Sequence, residues 1–327
     1  MTLILNYRTY ALAFALAIFA IAAGCKKDED KSLPELTTTP VTYIDEQTVI
    51  CGGTVTSDGG TTVTETGICW SITHNPTTGD MKLICGSGLD TFTGTLGTLN
   101  TNTQYFVRAY AVNSEGTAYG HEISFRTWND EMVTDIDGNV YHTVTVGSQV
   151  WLVENLSVTH YRNGDEIPLV TDNAEWEGLT SGAYSDYENN AANAVTYGRL
   201  YNWFAVDDSR NIAPEGWHVS TDAEWTAMTS YLGGEGIAGG KLKEAGLIHW
   251  LEPNSGATNE TGFSALPGGH RDYAGIYTYI QWGGGWWTST GENPNDARVR
   301  YMDHGSYDVW NYLEDKRYGR SVRCVKD

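Results

Sequence analysis

The hydrophobic positions of the chain fall into three regimes. Residues 11–23 are an apolar run preceded by a single charge, Arg8. A bilayer span takes about 20 apolar residues, so this shorter run reads as a signal peptide. From Thr37 to Thr127, short Thr/Val/Ile/Tyr runs are separated by Gly-Gly, Asn-Pro and Asn-Thr turns, the spacing of an all-β sandwich. The clearest strand covers 104–112, with Tyr105, Val107, Ala109 and Ala111 on one face and Gln104, Arg108 and Tyr110 on the other. Beyond Trp128 two stretches take a helical period. Tyr197, Leu200, Tyr201 and Phe204 recur at i, i+3, i+4 and i+7 and predict a helix over 194–206. Thr221-Asp222-Ala223-Glu224 is a capping-box sequence that opens a second helix, with Trp225, Met228 and Leu232 on its buried face and Gly233-Gly234 as its stop. Short strands and long Gly/Asn/Tyr loops make up the rest.

These shifts divide the chain into a signal peptide (1–24), a charged and Ser/Pro-containing tether (25–36), a sandwich (37–128) and a second module (129–327). Ala22-Ala23-Gly24-Cys25 resembles the lipobox of bacterial lipoproteins. That resemblance implies cleavage before Cys25 and lipid on the new N-terminus. Lys26, Lys27, Asp28, Glu29 and Asp30 resemble the surface-export signal of Bacteroidetes lipoproteins. The expected location is the outer membrane, with the protein held by the lipid on Cys25 and facing the extracellular side.

Charge narrows the partners. The formal net charge is −21, and loss of residues 1–24 removes only Arg8 among the charges, leaving −22. Such a surface repels nucleic acid and anionic headgroups. Gly 37 against Pro 8, with Tyr 20 and Trp 12, describes a turn-rich, aromatic β protein. Cys51, Cys69 and Cys85 fall in the sandwich. A Cys51–Cys69 disulfide is expected if the two face each other across it; three small buried hydrophobes are the alternative. None has metal-ligand spacing.

The phrases "CGGTVTSDGG", "GICWS" and "YFVRAYAVNSEGTAYG" resemble fibronectin type III-like modules. "DIDGNVYHTVTVGSQVWLVENL" (135–156), "TYGRLYNWFAV" (196–206), "PEGWHVSTDAEW" (214–225), "GGKLKEAG", "NSGATNETGFSALPGG" and the closing "YGRSVRCVKD" together resemble the Fibrobacter succinogenes major paralogous domain over roughly 131–327. That family looks distantly like the C-type lectin and formylglycine-generating-enzyme fold. The implied fold class is therefore an all-β sandwich (fibronectin type III/Ig-like) followed by an α+β C-type-lectin-like domain. The enzyme of that fold needs a reactive cysteine pair, whereas this module holds only Cys324.

Calcium is not expected. Lectins of this fold use Glu-Pro-Asn followed by Trp-Asn-Asp, but here Trp128-Asn129-Asp130 precedes Glu252-Pro253-Asn254. Asp135-Ile136-Asp137-Gly138-Asn139 opens like a calcium loop yet lacks the distal glutamate, and reads as a tight turn. No cofactor is implied.

Catalytic signatures are missing as well. The chain has no Gly-x-Ser-x-Gly elbow, no His-Glu-x-x-His helix, and no lysine after Gly283-Gly284-Gly285. His218, His249, His270 and His304 are isolated in sequence. What remains is an aromatic and polar stretch between family motifs: Arg271, Asp272, Tyr273, Tyr277, Tyr279, Trp282, Tyr301, Asp303, His304, Tyr307, Asp308 and Trp310. Aromatic faces stack on sugar rings while amides, acids and arginine hydrogen-bond hydroxyls, a composition that also suits protein recognition. The expectation is a surface binding or adhesion protein that recognises an extracellular glycan or a surface protein through these loops. A structural surface component without a discrete ligand is the alternative, and a glycan-active enzyme comes third.

Overall fold

The computed structural model describes residues 31–327. The expected signal peptide, Cys25 and the export signal at 26–30 lie outside the described residues.

Eight strands form the first module: β1 (Glu35–Asp45), β2 (Thr48–Ser57), β3 (Glu65–Ser71), β4 (Met81–Gly86), β5 (Thr91–Leu96), β6 (Gln104–Asn113), β7 (Gly116–Tyr119) and β8 (Ile123–Arg126). They make two antiparallel sheets, β1-β2-β5 and β4-β3-β6-β7, with β8 also pairing β6. This is the strand partition of a fibronectin type III-like sandwich. Alternation along β6 works as read, because Tyr105, Val107, Ala109 and Ala111 all enter the shared core with Val49, Ile68 and Phe125.

The same alternation overturns the Cys51–Cys69 disulfide. Cys51 joins that core, but on β3 it is Ile68 that does so, which turns the adjacent Cys69 to the outer face of its sheet. There its thiol bonds the Pro76 and Arg108 carbonyls, and Cys51, Cys69 and Cys85 are all free.

The second module adds β9 (Val133–Thr134), β10 (Val140–Tyr141), β11 (Thr143–Val146), β12 (Gln149–Leu152), β13 (Tyr184–Ser185), β14 (Leu200–Tyr201) and β15 (Trp217–Val219), followed by β16 (Gly268–Arg271), β17 (Tyr277–Ile280), β18 (Gly283–Gly291), β19 (Asp296–Asp303), β20 (Trp310–Asp315), β21 (Ser321–Val322) and β22 (Cys324–Lys326). Its larger sheet runs β17-β16-β18-β19-β20, with β21 on β18, and a four-stranded sheet runs β11-β12-β22-β15. Five short helices accompany them: α1 (Asn173–Glu177), α2 (Ala191–Tyr197), α3 (Trp203–Val206), α4 (Asp222–Tyr231) and α5 (Glu235–Leu242).

The capping box forms as read. Thr221 Oγ accepts from the Glu224 amide, the Glu224 carboxylate accepts from the Thr221 amide, and Gly233 and Gly234 follow at φ 102° and 110°. The helix expected over 194–206 does not. Gly198, at φ 73°, ends α2, Leu200 and Tyr201 pair as β14, and the Asn202 side chain caps α3 by accepting from the Ala205 amide. The apolar spacing that suggested one helix is the sum of two short turns and a strand.

Adjacent tryptophans on β18 anchor both sides of the larger sheet. Trp286 packs with Trp225, Trp151 and Phe263, whereas Trp287 packs with Tyr201, Val299 and Val322. Buried Arg300 on β19 ties two helix starts to this sheet through Asp222 (2.8 Å) and Glu235. The modules are docked and not merely tethered. Tyr43 of β1 stacks on Trp128 at 4.8 Å, and Trp128 Nε1 donates to the Gly262 carbonyl at 2.9 Å.

Candidate functional site

Residues opposite one another in antiparallel strands project from the same face. In the larger sheet Val299 lies opposite Trp287 and Tyr312, Tyr301 opposite Gly285 and Trp310, and Asp303 opposite Gly283. One face thus begins as core at Trp287 and Val299 and continues outward through Tyr312, Tyr301, Trp310 and Asp303. Trp310 and Tyr312 are 41% and 45% exposed and stack with planes 10° apart, while Tyr301 meets Tyr312 at 6.2 Å.

A second arc runs beside the first. Tyr273 approaches Tyr318 at 6.0 Å, Tyr318 approaches His270 at 5.5 Å, and His270 and Trp282 each lie 5.4 Å from Tyr279. The His304 ring closes the arc edge-on to Trp282 at 4.7 Å. Tyr279 and Trp282 are 50% and 43% exposed. Tyr279 and Gln281 hold φ near 65°, a conformation costly for non-glycine residues and enriched where a ligand is clamped.

The floor explains the glycine run. A Cβ at Gly283 would stand 2.1 Å from the Tyr301 hydroxyl, and one at Gly285 2.6 Å from Arg320 Nη1. The missing side chains let Tyr301 and Arg320 lie across β18. Arg320 sits 5.8 Å from both the Tyr301 and Tyr318 rings and gives Nε and Nη2 to the Glu314 carboxylate. It joins the two arcs while carrying its own counter-ion. Burial, aided by the Arg320 charge, pushes the His270 imidazole down to about 3, so the ring is neutral. His270 Nδ1 and Arg320 Nη1 have no hydrogen-bond partner among the described residues. The face therefore offers exposed rings above a polar, nearly neutral floor. It can stack on a flat apolar surface and bond hydroxyls, and no nucleophile–base pair or metal-ligand cluster stands among the described residues that form it.

Of the residues expected to bind, Tyr273, Tyr279, Trp282, Tyr301, Asp303, His304 and Trp310 meet on this face. Others are structural. Arg271 is buried between the Trp176 and Tyr277 rings and donates to the carbonyls of Val170 and Gly275 and to Asn173 Oδ1. Asp272 accepts from the Ala274 and Ile276 amides to close a turn. Tyr277 gives its hydroxyl to Asn189 and packs on Tyr187. Tyr307 lies over Gly256, and Asp308 bonds Ser306 beside α5. The sequence reading missed His270, Glu314, Tyr318 and Arg320. The i, i+2 spacing of Trp310, Tyr312 and Glu314 carried a signal for one face; Arg320, inside a family motif, carried none.

The model of the Fibrobacter succinogenes major domain matches residues 144–326. A search of curated proteins returns no match. Among solved structures, the sensor domain of the anti-sigma factor RsgI4 of Pseudobacteroides cellulosolvens is 18% identical over 29% of this chain and 95% of its own, with a TM-score of 0.23. The third fibronectin III domain of human KIAA0343 protein is 14% identical over 34% of this chain and 92% of its own, with a TM-score of 0.21. Similarity at this level carries no functional argument.

Proposed function

Because the chain belongs to the Fibrobacter succinogenes major domain family, whose name states no activity, we propose from the aromatic face itself that the protein binds a glycan at the cell surface as an adhesion or capture protein. The observation that carries this reading is the grouping of Tyr279, Trp282, Trp310 and Tyr312, each more than 40% exposed, above a floor kept clear by Gly283 and Gly285. Large aromatics left contiguous and uncovered mark interaction sites, and flat rings beside polar groups suit sugar rings. The neutral His270 and the Glu314-paired Arg320 favour uncharged sugars on a chain whose net charge is already −21.

The finer parts of the reading belong to the same proposal. The second module is taken as an α+β C-type-lectin-like frame, and the sandwich as the stalk that lifts it. Lipid on Cys25 is the anchor in the outer membrane; among the described residues no helix is long and apolar enough to cross a membrane. Replacing Cys25 with Ser should release the protein from the membrane fraction, and unchanged retention would refute the anchor. For the site, the purified chain is screened against soluble neutral and uronate-containing polysaccharides by calorimetry. Binding to a neutral polymer that weakens by about 1 kcal/mol or more in Trp282→Ala supports the reading. No binding to any polysaccharide would leave the face to a protein partner or to a purely structural role.

A further inference from the structure

Between the modules lies a cavity of about 610 Å³ that shares no lining residue with the aromatic face. Cavities of this size at domain interfaces are the usual place for small ligands. Val41 and Tyr43 of β1 contribute apolar lining from the first module, and Val140, Ala194 and Ala245 from the second, with Val195 at the rim.

Arg323 lines the same cavity and is 1% exposed. Its Nε donates to Asn155 Oδ1 at 2.7 Å, its Nη1 to the Leu152 and Phe263 carbonyls at 2.9 Å, and its Nη2 to the Ser264 carbonyl at 3.3 Å. All four acceptors are neutral. A guanidinium has five N–H donors, so one Nη2 hydrogen has no acceptor among the described residues.

Buried charges are ordinarily paired, and two other buried arginines of this module carry carboxylate counter-ions. Arg300 meets Asp222 and Glu235, and Arg320 meets Glu314. Arg271 also lacks a carboxylate, but it makes five hydrogen bonds and lies between two aromatic rings. Arg323 also lies over a ring, that of Phe263 at 4.4 Å, and differs in lining the cavity while one donor hydrogen goes without an acceptor. Glu154 lies within electrostatic reach but gives both oxygens to His142, and the other rim charges, Glu244 and Arg199, are held by His249 and Asp186. Burial pulls Arg323 down to about 9, which leaves it cationic at neutral pH. Asn259 and Ser264, which line the same cavity, hold left-handed φ of 50° and 52°, the kind of strain found at ligand sites.

We propose that this cavity binds a small organic acid with an apolar body, its carboxylate meeting Arg323 and its hydrocarbon part lying between the walls contributed by the two modules. Such a ligand would supply the missing counter-ion and touch both modules at once.

The test uses the full chain with decanoate and its uncharged analogue decan-1-ol, read by calorimetry and by thermal unfolding. Decanoate should bind and raise Tm, and decan-1-ol should bind about tenfold more weakly or worse. Val195→Trp changes a residue that is 88% exposed at the cavity rim, so the fold should be kept while decanoate affinity falls about tenfold. Arg323→Gln should weaken decanoate by a similar factor and leave decan-1-ol unchanged. If that variant does not fold, the rim variant decides alone: loss of decanoate binding supports the site and retention overturns it. Absence of decanoate binding, or equal binding of the alcohol, also overturns it.

Discussion

The buried and exposed ends of the larger sheet are built from the same residue types on the same strands. At the inner end, Trp287 and Val299 stand side by side, sealed under Tyr201 and Val322. One register step outward the row is Gly285, Tyr301 and Trp310, and one further it is Gly283 and Asp303. At the inner end the large side chain sits on the central strand and is roofed. At the outer end that strand is bare glycine, and the aromatics flank an open floor. The difference teaches that aromatic content alone does not separate core from recognition surface; strand register and the size of the neighbour do.

The largest effect should come from the core packed against the opposite face of the sheet. Trp225→Ala or Trp286→Ala removes a fully buried ring from a cluster of mutually packed aromatics and should destabilise by about 3–5 kcal/mol, measured by denaturant unfolding. An intermediate effect is expected at the floor. Gly285→Val would drive Arg320 off β18 and should cost about 1–3 kcal/mol in stability while abolishing glycan binding. If Gly285→Val leaves both unchanged, Arg320 does not need the cleared floor. At the outer end, Trp282→Ala and Tyr279→Ala should change stability by no more than about 0.5 kcal/mol. A loss comparable to that of Trp225→Ala would make those rings core and erase the contrast.

A pH-dependent effect concerns the joint between modules. His142 lies 4.5 Å from Trp128 with the rings tilted 37° and approaches Glu46 of the first module at 3.8 Å. Its hydrogen bond to Glu154 outweighs burial and holds its pKa above the ordinary value, with Glu46 adding to the rise. A raised folded-state value means the contribution is complete below about pH 6.5 and lost as pH rises through the folded value. His142→Gln should remove that slope from thermal unfolding curves taken between about pH 5.5 and about pH 8.5, with an amplitude under about 1 kcal/mol for a partly exposed pair. A slope identical to that of the unchanged protein would assign the pH dependence to another group.

Much of the frame was legible because it rests on local chemistry. The β6 alternation, the Thr221 capping box and the two-sheet sandwich follow from periodicity and turn residues. The 194–206 helix was misread because apolar spacing cannot register the break that Gly198 and Asn202 impose. The Cys51–Cys69 pairing failed on one residue of strand phase. The candidate site was half legible. The aromatics between motifs read as loops but stand largely on β17, β19 and β20, and whether an arginine clamps a turn, as Arg271 does, or floors a face, as Arg320 does, depends on partners 100 or more residues away for the first and on a missing Cβ for the second.

The most direct test of the aromatic-face account is the double variant Trp310→Ala/Tyr312→Ala, compared with the unchanged protein for Tm and for binding to a neutral polysaccharide that the protein retains. The account predicts a Tm within about 2 °C and an affinity lower by about tenfold or more. Unaltered affinity at unaltered Tm would contradict it.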